Sequence, residues 1–225
     1  MKHPLAIALL AALLIIAGAF GLPLLGGGPA GDDGERLPWQ VKVDDGGRST
    51  VFGLQLPGAT LATAQARWGD DMQIAVIARR GEAGALEAYL DNFRAGGITG
   101  RLLLATELPA AAVLGLRERA RRSEAIDADT WRFAPAAADH AQVMAAALVG
   151  VSFIPGAQLD AATLVQRFGA PAERLRGSDR LEHWLYPALG LAIVLDTDGK
   201  ELLQYVAPAD FERRLVAPLR AAGAK

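Results

Sequence analysis

Acid–base or metal chemistry in this chain would have to come from a few places. These are Asp139-His140, Asp70-Asp71, and His183 with Asp196 and Asp198. An aspartate beside a histidine can move a proton, provided a reacting group stands within hydrogen-bond reach. No partner nucleophile is evident. Ser152 lies in Gly150-Val151-Ser152-Phe153-Ile154, which lacks the second glycine of a nucleophile elbow. Asp139-His140 therefore reads as a pair on a helix surface. Asp70-Asp71 follows Gly69 between a helix and a strand, where acidic residues are ordinary turn formers. Asp196-Thr197-Asp198-Gly199 offers too few oxygens for a calcium loop and reads as a tight hairpin turn. Arg117, Arg119, Arg121 and Arg122 form a basic run that could attract anionic head groups. Glu118 and Glu124 interrupt it, as on a solvated helix face.

Composition narrows the chemistry further. The 225 residues include no cysteine, which excludes disulfides, thiolate nucleophiles, thiolate zinc sites and a lipid-modified cysteine. Of three histidines, only His140 and His183 lie beyond the first few residues. Neither a metal centre nor a cofactor is expected, and no enzyme activity. The formal net charge of −2 gives no basic excess to steer the chain to nucleic acid. The side chains with most to offer a protein partner are Tyr89, Trp184, Tyr186 and Tyr205, because aromatic rings bury much area with few rotors. Trp184 and Tyr186, at strand spacing, read equally as core. Tyr89, flanked by alternation with Glu87 and Asp91, is expected at the surface.

The elements that must position these residues begin with a leader. Lys2 and His3 precede a stretch from Pro4 to Gly31 without a charged side chain, and Leu5 to Leu25 is almost wholly apolar. A bilayer core needs roughly 20 apolar residues in helix, so this segment is long enough to span. Lys2 on one side and Asp32, Asp33 and Glu35 on the other orient the body outside the cytoplasm. Residues 1–25 are thus expected as membrane anchor or signal segment. Ala17-Gly18-Ala19 fits a cleavage site. The expected location is the inner membrane, single-pass with the body in the periplasm, or the periplasm itself after cleavage behind Ala19. Residues 26–36, with Gly26-Gly27-Gly28, read as a flexible linker.

The body carries an internal repeat. Leu56-Pro57-Gly58-Ala59 recurs as Ile154-Pro155-Gly156-Ala157, and Arg67-Trp68-Gly69 as Arg167-Phe168-Gly169. Leu102-Leu103 corresponds to Leu202-Leu203 at the same offset of about one hundred residues. We read an α+β fold of two tandem units, each a helix plus an antiparallel β-sheet, at residues 37–125 and 126–225. In the first, Ala59 to Trp68 is helical, with Gly69 as its cap. Gln73 to Arg79, Ala85 to Phe93 and Arg101 to Leu108 alternate as strands. Their apolar face carries Ile74, Val76, Leu86, Ala88, Leu90, Leu102 and Leu104. The water-tolerant face carries Gln73, Arg79, Glu87, Tyr89, Asp91, Arg101 and Glu107. Ala110 to Ala125 and Ala136 to Val149 read as helices. In the second unit a helix spans Asp160 to Phe168, and strands span His183 to Tyr186, Leu191 to Leu195 and Glu201 to Val206. A last helix covers Ala209 to Ala222, kinked or broken at Pro218.

One group of motifs is similar to a known module. It comprises Leu164-Val165-Gln166-Arg167-Phe168-Gly169-Ala170-Pro171, Glu182-His183-Trp184-Leu185-Tyr186-Pro187, and Gly190 to Lys200 ending in Asp198-Gly199-Lys200. It resembles the small envelope module of the SmpA/OmlA lipoproteins and the related β-lactamase-inhibitor-protein fold, in which two such units stand in tandem. The resemblance covers residues 154 to 207 well and residues 51 to 108 weakly, and the chain departs from the lipoprotein pattern in having no cysteine to lipidate. It implies a binding or scaffolding role, with another envelope protein as partner. Two other readings stand beside it. One is an assembly subunit associating through its leader, where Ala17 and Gly21 are spaced small-xxx-small. The other is an enzyme with a dispersed acid–base site around His183 or His140.

Overall fold

A computed structural model describes residues 37–177, 180–197 and 199–223. The expected leader, its cleavage site, the Ala17 and Gly21 pair, the linker and Asp198 lie outside the described residues. No helix among the described residues is long and apolar enough to cross a membrane. The described residues form an α+β fold, with five α-helices, a large antiparallel sheet and a small one.

Two compact units are assembled from separated stretches of chain. The first takes Gly58–Tyr89 and Leu104–Val149. Its strands are β4 (Gln73–Arg79), β5 (Ala85–Ala95), β6 (Ile98–Thr106), β7 (Arg122–Ala125) and β8 (Thr130–Ala134), in the order β6-β5-β4-β8-β7. Strands β5 and β6 contribute residues to both units.

Register fixes which side chains share a face. Val76 stands opposite Leu86 on one side and Phe133 on the other. Val76, Ala78, Leu86 and Ala88 are all buried. Helix α1 (Leu61–Trp68) is started by a capping box between Thr60 and Thr63 and ended at Gly69, whose φ of 74° suits glycine. It buries Leu61 and Ala64. Helix α2 (Ala110–Glu118) packs along β4 and buries Val113 and Leu116. Its Arg117 guanidinium lies 4.8 Å from the Phe133 ring centre.

The second unit comprises the described residues up to Pro57, Leu90–Leu103, and the chain from Gly150 onward. Strands β9 (Leu148–Pro155), β10 (Glu173–Arg176), β11 (Leu181–Tyr186), β12 (Leu191–Asp196) and β13 (Leu202–Tyr205) run in the order β10-β11-β12-β13-β9, followed by β6 and β5. Both faces of this sheet are covered. On one face Leu185, Ala192 and Val206 pack with Phe211, Leu215 and Val216. The other carries Trp184, Tyr186, Tyr205 and Phe153, and faces helix α4 (Ala161–Phe168) and a hairpin of the small sheet. That sheet consists of β1 (Lys42–Val43), β2 (Ser49–Val51) and β3 (Leu54–Leu56). Phe52, in the two-residue turn between β2 and β3, is fully buried against Phe93, Phe153 and Tyr205, with ring centres 5.2, 5.5 and 5.7 Å away.

Three expected helices are corrected. The stretch from Ala110 leaves the helix after Glu118, and Arg122–Ala125 is a strand paired with β8. The stretch from Ala136 is a 3-10 turn followed by the short helix α3 (His140–Met144), after which Leu148 begins β9. Alanine's helix propensity loses there to strand pairing, which satisfies the same backbone groups while burying Leu148 and Val151. At the C-terminus a 3-10 turn at Pro208–Asp210 and a π-helical turn at Glu212–Val216 precede helix α5 (Ala217–Gly223). The widened turn stands just before Pro218, which has no N–H to bond back into it.

Candidate protein-binding face

In the first unit, the face of the sheet opposite Val76 and Leu86 is polar and half-open. Antiparallel register places Gln73 opposite Tyr89 and Ala75 opposite Glu87. It places Ile77 opposite Arg132, and Arg132 opposite Glu124. Arg132 ties the row together, donating to Gln73 Oε1 at 3.3 Å and to Glu124 Oε2 at 3.2 Å. Tyr89 is half-buried within it.

Glu87 is the unusual member. Its Oε2 is withdrawn from solvent, and no described group donates a hydrogen bond to it. Burial alone pushes its carboxyl up to about 8. A neutral carboxylic acid on a sheet face is a hydrogen-bond donor as well as an acceptor. The arrangement offers a phenol, an amide and a guanidinium around a carboxyl withdrawn from solvent, and the three accessible groups suit recognition of polar backbone and side-chain groups on a partner.

Of the four aromatic residues expected to contact a partner, only Tyr89 lies on this face. Trp184, Tyr186 and Tyr205 are 2%, 5% and 1% exposed and are core. Each polar tip has an internal acceptor. Trp184 Nε1 donates to Glu182 Oε2 at 2.8 Å, the Tyr186 hydroxyl to the Gly169 carbonyl at 3.1 Å, and the Tyr205 hydroxyl to the Pro38 carbonyl at 2.8 Å. Arg174 covers the Trp184 ring at 4.2 Å. These rings fasten the sheet to what packs on it.

The described acid–base candidates are dispersed over other elements. Asp139 is buried and bonded to Arg119 at 2.9 Å, while His140 is exposed. Ser152 is buried on β9 opposite Gln204. Asp71 is exposed, and Asp196 takes Arg180 at 3.0 Å. The basic run is divided: Arg117 caps the Glu82 and Ala83 carbonyls, Arg119 holds Asp139, and Arg122 approaches Glu124 at 3.5 Å. Among the described residues no three metal-ligating side chains cluster.

No protein-family model, curated protein or solved structure matches this chain. The geometry of the face therefore carries the functional reading. Sequence alternation had set Gln73, Glu87 and Tyr89 on one face. Arg132 and Glu124 were missed because their strands were not recognised. The run Thr130-Trp131-Arg132-Phe133, β-formers with an alternating polar position, was the available signal.

Proposed function

We propose that this chain is a non-enzymatic, membrane-tethered binding or scaffolding module of a bacterial-type envelope. It holds another envelope protein on the half-open sheet face of its first unit. The observation that carries the reading is that face itself. Helix α2 lies on the opposite side of the sheet, while Tyr89, Glu87, Gln73 and Arg132 are register neighbours on the side left half-open, with Arg132 bonded to Gln73. The leader supplies the tether, with the body in the periplasm, or a free periplasmic protein if cleavage follows Ala19. The tandem reading is supported by the helix ends. Thr60 and Asp160 cap α1 and α4 by accepting from Thr63 and Thr163, and Gly69 and Gly169 end them at φ 74° and 80°.

The test is cross-linking in intact cells, followed by detergent extraction and identification of what is bound to the full-length chain. One recurrent envelope protein is expected, lost with Tyr89→Ala and with Arg132→Glu while thermal unfolding stays cooperative. Recovery of the chain alone with every cross-linker, or capture indifferent to both substitutions, overturns the reading.

A further inference from the structure

We propose that His183 is an acid-operated latch on the edge strand β10, a regulatory device in the second unit independent of the binding face. His183 lies on β11 directly opposite Leu175 of β10. It shares its face with Leu185, two residues on. Leu175 and Leu219 pack against the cluster of Leu185, Val206, Phe211 and Leu215. The imidazole therefore belongs to the row that joins the edge strand to the C-terminal helical turns.

His183 is 8% exposed, and its Nδ1 is withdrawn from solvent with no described hydrogen-bond partner. Its Nε2 lies beside Gly177, where an added Cβ would be only 2.7 Å away. A neutral imidazole tolerates this place. An imidazolium brings a charge and a second N–H donor, both needing partners.

Among the described residues, the charged groups on this face are already engaged. On β10, Glu173 takes Arg220 at 3.2 Å, and Arg220 also holds Glu212 at 3.0 Å. On β12, Asp196 takes Arg180 at 3.0 Å. On the C-terminal turns, Arg214 takes Asp210 at 3.3 Å. In the row of His183 itself, Val194 of β12 and Leu202 of β13 are apolar, and the polar residues sharing the face on β13 and β9 are the neutral Gln204 and Ser152. The proton is accommodated when the ring turns out to water, which parts β10 from β11. Burial holds the imidazole below its ordinary value, in agreement with that geometry.

The direction follows from linkage. The closed form binds the proton less readily than the open form. It is therefore favoured above about pH 6.5, the ordinary value for histidine, and weakens as pH falls through it. Mild acid loosens β10 and its hold on the C-terminal helix. Strand β7, the edge of the first unit, is the internal control, since neither it nor β8 contains a histidine.

Hydrogen exchange of the full-length chain, read by NMR at about pH 7.5 and about pH 5 with intrinsic rates divided out, tests the latch. Protection of the Leu175 and Gly177 amides is expected to fall on acidification. The fall should be about tenfold for each unit separating the closed and open values, while Arg121 and Ile126 hold. His183→Phe should abolish the acid response. The ring's own titration in the unsubstituted chain gives a reading that does not depend on that variant folding. A ring titrating at its ordinary value with β10 protection unchanged overturns the proposal, as does an acid response that persists in His183→Phe.

Discussion

Phe52 shows how much one residue can be asked to do. It has φ of 50°, in the left-handed region, and Gly53 beside it has 75°. Such a backbone costs a residue bearing a Cβ about 1 kcal/mol or more. The ring offsets that by filling the centre of an aromatic cluster with Phe93, Phe153 and Tyr205. Phe52→Ala should lower stability by about 3–5 kcal/mol, measured as a shift of the denaturant midpoint at unchanged slope. Glu87 makes the opposite kind of statement. Its carboxyl is raised by burial to about 8, so the folded chain holds a proton that the unfolded chain releases near its ordinary carboxylate value. More protons on the folded state mean that stability falls as pH rises from about 4.5 to about 8, and levels off beyond. Glu87→Gln keeps the shape without the charge. It should flatten that slope and be more stable than the parent at alkaline pH, measured by thermal unfolding across the range.

At the scale of elements, the two edge strands are guarded alike. On β7, Arg122 is the register partner of Ala134, yet the Arg121 N–H also donates to the Ala134 carbonyl, so two residues oppose one. On β10, Glu173 pairs with Leu185, while the Ala172 N–H donates to the Leu185 carbonyl. A bulge at the start of a four-residue strand twists the free edge away from flat pairing, and the charges of Arg122, Glu124, Glu173, Arg174 and Arg176 complete the guard. These edges are built against strand addition. Replacing both Arg122 and Glu124 by valine should make the chain self-associate with concentration in sedimentation velocity. A double variant whose association matches the parent's would show that the bulge suffices.

At the scale of the molecule, the interleaving of the units decides what can stand alone. The second unit needs Leu90–Leu103, and the first unit reaches on to Val149. A fragment of residues 126–225 therefore lacks strands that its own core requires, including Phe93 and Gly100. An added Cβ at Gly100 would meet the Ile154 carbonyl at 2.4 Å, so close is that strand contact. The fragment should give the circular dichroism of an unfolded chain while the full body folds. The repeat is also uneven at this scale. The match of Leu102-Leu103 with Leu202-Leu203 pairs β6, the third strand after α1, with β13, the fourth strand after α4. Only the helix ends and the strand that directly follows each helix keep step.

The sequence by itself determined the class of the fold, helices α1 and α4 with their glycine ends, and six strands from alternation, because these are local consequences of side-chain period and backbone preference. It also set Gln73, Glu87 and Tyr89 on one face, since a strand's period leaves no other choice. Tertiary structure alone decided that Arg122–Ala125 and Leu148–Pro155 are strands, because their backbone groups find partners only across the sheet. It alone decided that Trp184, Tyr186 and Tyr205 are core while Tyr89 stays half-open. Alternation gives each strand two faces, and only the packing of other elements says which faces are covered.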